Sequence, residues 1–281
     1  MQGNGRFAPT PSGDLHLGNM RTAFLAYAYA VRDDLGFVLR IEDVDTGRSR
    51  AEFVEHQLED LAALGFSWSE LLFQSDRYIE YKAILDSLPH YECYCSRKDI
   101  QAAASAPHAA PGSYPGTCRD LTEAEREIKR AELGKQGRVP AIRLRSEVSE
   151  WTVVDELHGE FTGVVDDFVL KRDDWAYNFA VVVDDEYQKV RQVVRGEDLL
   201  SSAPRQAYLG HLLGYAPVDY IHVPLLLDEN GERVAKRRYA PRMVDLEDPL
   251  GALASSLDLP KAGSLDGLVE EFLERESNGR V

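Results

Sequence analysis

Apolar residues along the chain fall into short continuous runs, separated by longer stretches at helical spacing. Phe7 and Ala8 close a short buried strand near the start. Pro9, Pro11 and Gly13 forbid its continuation, because proline lacks the backbone donor and glycine frees the chain. Leu15 to Arg32 is long, apolar and rich in alanine, which predicts a helix that Ser12 or Asp14 could cap. Leu35 to Asp43 predicts a second buried strand, ending in carboxylates. Two parallel strands joined by a helix form a βαβ unit, and ligands sit at the carboxyl ends of such strands. Arg6 and Glu42 are therefore expected to meet in one crevice.

Helical spacing returns at Phe53, Val54, Leu58, Leu61, Ala62 and Leu64, predicting a helix over Arg50 to Leu64 that Gly65 ends. Asp76 to Leu88 predicts another, stopped by Pro89. Leu121 to Leu133 reads as a charged helix. Val139 to Arg145, Thr152 to Gly159 and Val164 to Leu170 read as extended segments, with Trp151 as a packing residue. Val190 to Gly196 predicts a core strand. A helix begins at Gly196 to Leu200 and continues through Arg205 to Leu213. Tyr220 to Leu227 predicts the last core strand, followed by a turn at 228–231. Gly251 to Leu257 and Ser264 to Glu274 predict short helices. Strands alternating with helices place the chain in the α/β class.

The 281 residues, 44% hydrophobic and 28% charged, suffice for one large domain or two modest ones. No apolar run approaches the length of a membrane span, and no basic and apolar leader precedes the first strand. Three cysteines, an odd number, argue against a disulfide framework and for a reducing cytoplasm. The net charge of -16 disfavours indiscriminate nucleic-acid binding, so any nucleic-acid partner would need a local basic face.

Candidate chemistry lies in three places. His16 stands at the start of the first long helix, where backbone N–H groups and partial positive charge favour phosphate. Gly18 would let a flat base or sugar lie against the backbone there. No Walker A loop occurs. Arg233, Lys236, Arg237, Arg238 and Arg242 form a basic run directly after the last core strand, a placement suited to phosphate. Cys93, Cys95 and Cys118 lie within 26 residues, and thiolates suit zinc, which takes four ligands in a structural site. Tyr114, His108, His90 or water could supply the fourth, and chemistry alone favours His108.

The opening R-F-A-P-T-P-S-G, followed by H-L-G-N, resembles the HIGH motif of class I aminoacyl-tRNA synthetases in its glutamyl form. The segments Y-N-F-A-V-V-V-D-D and V-V-R-G-E-D-L-L resemble later parts of the same family. R-V-A-K-R occupies the KMSKS position, with Arg233 and Ala235 departing from its K-L-S-K-[SR] form and Lys236 and Arg237 agreeing. The C-x-C…Y-x-x-x-C arrangement resembles that of truncated members that act on queuosine. This resemblance implies Cys93, Cys95, Tyr114 and Cys118 as the ligands of a structural Zn²⁺. The family also has an I-E-D-x-D segment near the tRNA 3′ end, although loop capping would explain Asp43 and Asp45 equally well.

The resemblance further implies a Rossmann-like, doubly wound parallel sheet over 1–90 and 174–239. It implies an inserted zinc-binding lobe over 91–173 and a helical tail over 240–281. Arg6, Phe7, Ala8, Pro9, Thr10, Glu42, Tyr177 and Arg195 would surround L-glutamate. His16, Gly18, Asn19, Lys236 and Arg237 would hold ATP with its Mg²⁺, His16 and Lys236 being catalytic. The implied reaction is activation of glutamate and its transfer to queuosine in the anticodon of tRNA(Asp), by a cytoplasmic monomer. The chain after Arg237 is too short for domains that grip an anticodon stem. Two other readings are a truncated enzyme that charges an acceptor end and a catalytically dead tRNA-binding homologue.

Overall fold

A computed structural model describes residues 3–96, 98–100, 113–227, 231 and 241–279. The chain divides into two compact units, one of residues 1–76, 188–200 and 218–281, the other of residues 77–187 and 201–217. The segment expected as the second half of the catalytic fold, 174–239, is thus shared between them.

The first unit is built on parallel strands β1 (Asn4–Phe7), β2 (Gly36–Ile41), β3 (Leu71–Phe73), β9 (Val190–Gly196) and β10 (Asp219–Val223). Their order is β3-β2-β1-β9-β10. Arg6 pairs in register with Val38, and Arg195 with His222. Chain order reverses between β1 and β9, and the crevice outside the carboxyl ends at such a reversal is where open α/β sheets bind ligands. Helix α1 (Leu17–Arg32) crosses from β1 to β2. Its buried face, with Met20, Ala23, Phe24 and Ala30, shares a core with Leu61 and Leu64 of α2 (Ala51–Ala63). That core takes in α7 (Pro249–Ser256) and α8 (Leu265–Ser277) through Leu253, Leu268 and Phe272. Phe272 meets Phe24 and Tyr29 edge-on, at 5.9 and 5.5 Å.

Two expectations shift, and one strand is additional. The last core strand ends at Val223 rather than Leu227, because Pro224 cannot donate to a ladder. β3 is three residues long, too short to leave a pattern. The extended segment expected over Thr152 to Gly159 is instead a hairpin, β6 (Glu150–Asp155) and β7 (Gly159–Val164), turning at Gly159 with φ +71°.

The second unit holds that hairpin and an antiparallel sheet, β4 (His90–Cys93), β5 (Ala141–Leu144) and β8 (Val169–Lys171), in the order β4-β5-β8. Its helices are α3 (Tyr78–Ser87), α4 (Glu123–Lys135), α5 (Tyr177–Tyr187) and α6 (Ala203–Leu212). Asp184 is fully buried and accepts hydrogen bonds from the Tyr81 hydroxyl and Arg77 Nε.

In the first unit, Arg242 donates to the Asp60 carboxylate at 2.8 Å, to Glu59 and to the His56 carbonyl. Asp60 is 0% exposed, and burial raises its pKa against the lowering effect of Arg242. Removing Arg242 leaves a buried carboxylate unanswered. Arg242→Ala is therefore expected to cost about 1–3 kcal/mol at neutral pH. Because the folded pKa of Asp60 is raised, protonation removes the penalty. The deficit should shrink as pH falls through that pKa. Urea unfolding of both proteins between about pH 7.5 and 5 checks this, and a pH-independent deficit contradicts it.

Candidate active site

The loop after β1 is fixed by its neighbours. Gln57, buried on α2, donates to the carbonyls of Thr10 and Gly13 at 3.2 and 2.8 Å. The backbone N–H of Arg50 donates to the Pro11 carbonyl, and that of Glu42 to the Pro9 carbonyl at 2.9 Å. Phe7 and Pro9 are buried, Ala8 is half-buried and Thr10 is exposed. Gln57 left no signal in the sequence beyond its place on a helix.

His16 itself caps α1, in place of the expected Ser12 or Asp14. Its Nδ1 accepts from the backbone N–H groups of Gly18 and Asn19 at 3.1 and 3.3 Å. Asn19 returns the bond, its side-chain oxygen accepting from His16 N. The neutral ring consequently carries its proton on Nε2. A Cβ on Gly18 would stand 3.1 Å from His16 Cε1, so glycine makes room for the imidazole. Asp14 is occupied elsewhere, with His56 Nδ1 at 2.7 Å.

Arg6 and Arg195 flank the reversal between β1 and β9. Arg6 Nη1 donates to the Val194 carbonyl at 3.1 Å. Arg195 Nε donates to His222 Nε2 at 2.9 Å, and its Nη2 reaches the Leu199 carbonyl at 3.5 Å. Both arginines are 4% exposed. Glu42 is buried just past the end of β2, with Arg40 Nη2 3.6 Å from its carboxylate. Arg40, 0% exposed, also donates to the side-chain oxygen of Gln188. Sequence reasoning found Arg6, Glu42 and Arg195 but neither Arg40 nor His222, each of which reads as one more residue of an apolar strand. Tyr177 begins α5, half-buried, in the second unit.

Asp43 and Asp45 act as loop caps. Asp43 accepts from the Ser75 backbone and hydroxyl at 2.8 and 2.6 Å, and Asp45 from Arg48. Arg242, expected with the basic run, is committed to Asp60. Arg233, Lys236, Arg237 and Arg238 lie outside the described residues, as does His108.

In the second unit the cysteines converge. The sulfurs of Cys93, Cys95 and Cys118 lie within 4.8 Å of one another, Cys95 and Cys118 at 3.6 Å. Tyr114 Oη is 3.4 Å from Cys93 Sγ and 4.0 Å from Cys95 Sγ, and it accepts from the Cys118 N–H at 2.8 Å. A tetrahedral zinc with bonds of about 2.3 Å to sulfur sets its sulfurs about 3.8 Å apart, so the donor set fits that ion. His90 Nδ1 lies 2.8 Å from the Leu88 carbonyl oxygen. Hydrogen bonding from Cys118 lowers the Cys93 pKa to about 4, with help from Tyr114 and Arg143 against burial. Burial, and then the Cys93 charge, raise Cys95, while burial and the Cys93 bond raise Tyr114. Arg143 lies buried 3.6 Å over the Tyr114 ring.

The double role of His16 gives a test. Asparagine caps a helix as well as histidine does here, whereas alanine leaves two N–H groups unanswered. His16→Ala is expected to lose about 1 kcal/mol of stability and His16→Asn a few tenths, read by urea unfolding. Equal losses would show that the imidazole cap is not stabilising.

The family described as tRNA synthetases class I (E and Q), catalytic domain, matches residues 4–251. The glutamyl-Q tRNA(Asp) synthetase of Nocardia farcinica is 50% identical over 272 residues, covering 92% of this chain and 86% of that protein. That of Cutibacterium acnes is 42% identical over 278 residues, covering 94% and 79%. The glutamate–tRNA ligase of a Hydrogenobaculum species is 39% identical over 83% of this chain, which spans 52% of that longer protein. The crystal structure of a glutamate tRNA ligase from Elizabethkingia meningosepticum shares the fold, with a TM-score of 0.76 at 24% identity. It covers 97% of this chain, and this chain spans 65% of it. The matched stretch takes in β1, the His16 cap, the cysteine cluster and both arginines, and the chain belongs to the class I tRNA synthetases of the glutamate and glutamine group, which are ligases.

Proposed function

We propose that this chain activates L-glutamate with ATP and transfers it to queuosine in the anticodon of tRNA(Asp). The observation that carries the activation step is the pair of buried arginines, Arg6 and Arg195, at the strand-order reversal. A substrate with two carboxylates suits two fork-shaped cationic donors. The names of the relatives from Nocardia farcinica and Cutibacterium acnes support the queuosine acceptor.

In this reading the glutamate α-carboxylate oxygen attacks the ATP α-phosphorus, and the bond to pyrophosphate breaks. Mg²⁺ accompanies the ATP and shares its phosphate charge. His16, with Nδ1 held by the backbone, presents Nε2–H to a phosphate oxygen as charge develops. Lys236 and Arg237 add cationic charge from the KMSKS-like segment. Gly18 and Asn19 line the nucleotide side. Glu42 pairs with the α-ammonium, and the backbone from Phe7 to Thr10 forms the wall of the amino-acid pocket. A queuosine hydroxyl then attacks the activated carbonyl, and AMP leaves. Catalysis is positioning and charge stabilisation, with no protein nucleophile.

Cys93, Cys95, Tyr114 and Cys118 hold a structural Zn²⁺ that braces the ends of β4 and the 113–120 turn. Four protein donors leave no open position for catalysis.

Labelled glutamate, ATP and tRNA(Asp) with or without queuosine test the function. Label is expected at the anticodon, and only with queuosine; label at an acceptor end favours the glutamate–tRNA ligase reading instead. ATP–pyrophosphate exchange should depend on glutamate without tRNA. His16→Asn and Lys236→Ala should slow it by about 10²–10³. No exchange with any amino acid would sink the activation step and leave a tRNA-binding homologue.

Metal analysis of the purified protein is expected to give close to one zinc per chain, lost in Cys95→Ser along with several degrees of thermal stability. A folded, active, zinc-free protein rules out the metal.

A further inference from the structure

We propose that His222 is a positioning residue for amino-acid selection, holding Arg195 so that its two terminal nitrogens face the substrate carboxylate. The inference rests on the reading of Arg195 as a glutamate-binding group and assigns it the side-chain carboxylate.

His222 lies on β10, in direct register with Arg195 on β9. It is 0% exposed, and its Nε2 lies 2.9 Å from Arg195 Nε. A guanidinium can only donate, so the imidazole Nε2 must accept, and the ring is neutral with its proton on Nδ1. Tyr220 stacks on the His222 ring at 5.8 Å with planes 19° apart, and the Arg195 guanidinium lies 5.6 Å from the Tyr220 centroid. The three side chains form one layer along the end of the sheet.

The consequence is geometric. Anchoring Nε holds the side edge of the guanidinium against β10, and Nη2 also reaches the Leu199 carbonyl, so the protein sets the direction of the Nη1–Nη2 end before a carboxylate arrives. Because the anchor is on a neighbouring strand rather than a loop, the depth at which that end stands is fixed. A carboxylate one methylene shorter cannot close the distance without tilting the guanidinium away from His222. Glutamine in place of histidine carries an acceptor oxygen at nearly the same reach, whereas asparagine and leucine do not.

Glutamate-dependent ATP–pyrophosphate exchange on the full chain tests this with four variants. His222→Leu and His222→Asn are expected to raise the glutamate KM about ten- to hundredfold. The ATP KM and kcat should stay near their original values, and the preference for glutamate over aspartate should narrow. His222→Gln should restore most of the loss. Thermal unfolding of each variant separates this from general damage, and His222→Asn serves if His222→Leu does not fold. Arg195→Ala supplies the reference. If it raises the glutamate KM while His222→Leu and His222→Asn do not, His222 has no positioning role. If His222→Gln is as impaired as His222→Asn, acceptance at Nε2 is not what matters. If Arg195→Ala leaves the glutamate KM unchanged, Arg195 does not bind glutamate and the inference falls with it.

Discussion

A guanidinium buried inside a sheet has to be answered by acceptors, because an isolated buried charge costs several kcal/mol. Three arginines in the parallel sheet meet this constraint: Arg6, Arg40 and Arg195. Arg40 is held by the side chains of Gln188 and Glu42. Arg6 reaches the Val194 carbonyl, and Arg195 the imidazole of His222. These two arginines stand on β1 and β9, where strand order reverses. The topology and the buried charge thus mark the same place, and the loop that follows β1 is braced by Gln57 and ends in the His16 cap.

The legible parts of this arrangement were those set by backbone chemistry. Pro9, Pro11 and Gly13 end β1 because their backbones cannot extend it. The alanine-rich run became α1, within two residues at its start. The run Val190 to Gly196 became β9 without change. The convergence of Cys93, Cys95 and Cys118 was likewise legible from thiol chemistry and spacing, whereas Tyr114 entered only through the family resemblance, since chemistry alone favoured His108. What stayed hidden depends on partners distant in sequence. His222 reads as a strand residue until β9 is laid beside it. Gln57 and Gln188 reach backbone and side chains 40 to 150 positions away. The cap on α1 was missed for another reason: serine and aspartate are the usual caps, and Asp14 was within reach, but His56 binds it.

Arg242 shows how a charge pattern misleads when read alone. In sequence it extends the basic run that follows β10, and a row of cations suggests phosphate. In the fold it sits between Glu59 and the fully buried Asp60, and it also satisfies the His56 carbonyl. Its charge is spent on the junction between α2 and the chain entering α7. Asp43 and Asp45 make the same point with the opposite sign. They tie the strand end to Ser75 and Arg48.

The acidic balance of the chain bears on how anionic substrates can be held at all. A net charge of -16 creates a repulsive field for ATP, glutamate and tRNA alike. At physiological ionic strength that field is screened over about 8 Å, whereas groups inside a crevice are screened much less. Under the proposed function, binding therefore comes from short contacts, at the N-terminus of α1 and at the two buried arginines where strand order reverses. Such a balance weakens attachment to nucleic acid in general while leaving intact any contact that reaches the crevice. Selectivity then follows from geometry, since only a ligand able to bring its carboxylates or phosphates onto these fixed donors recovers what the surface field takes away.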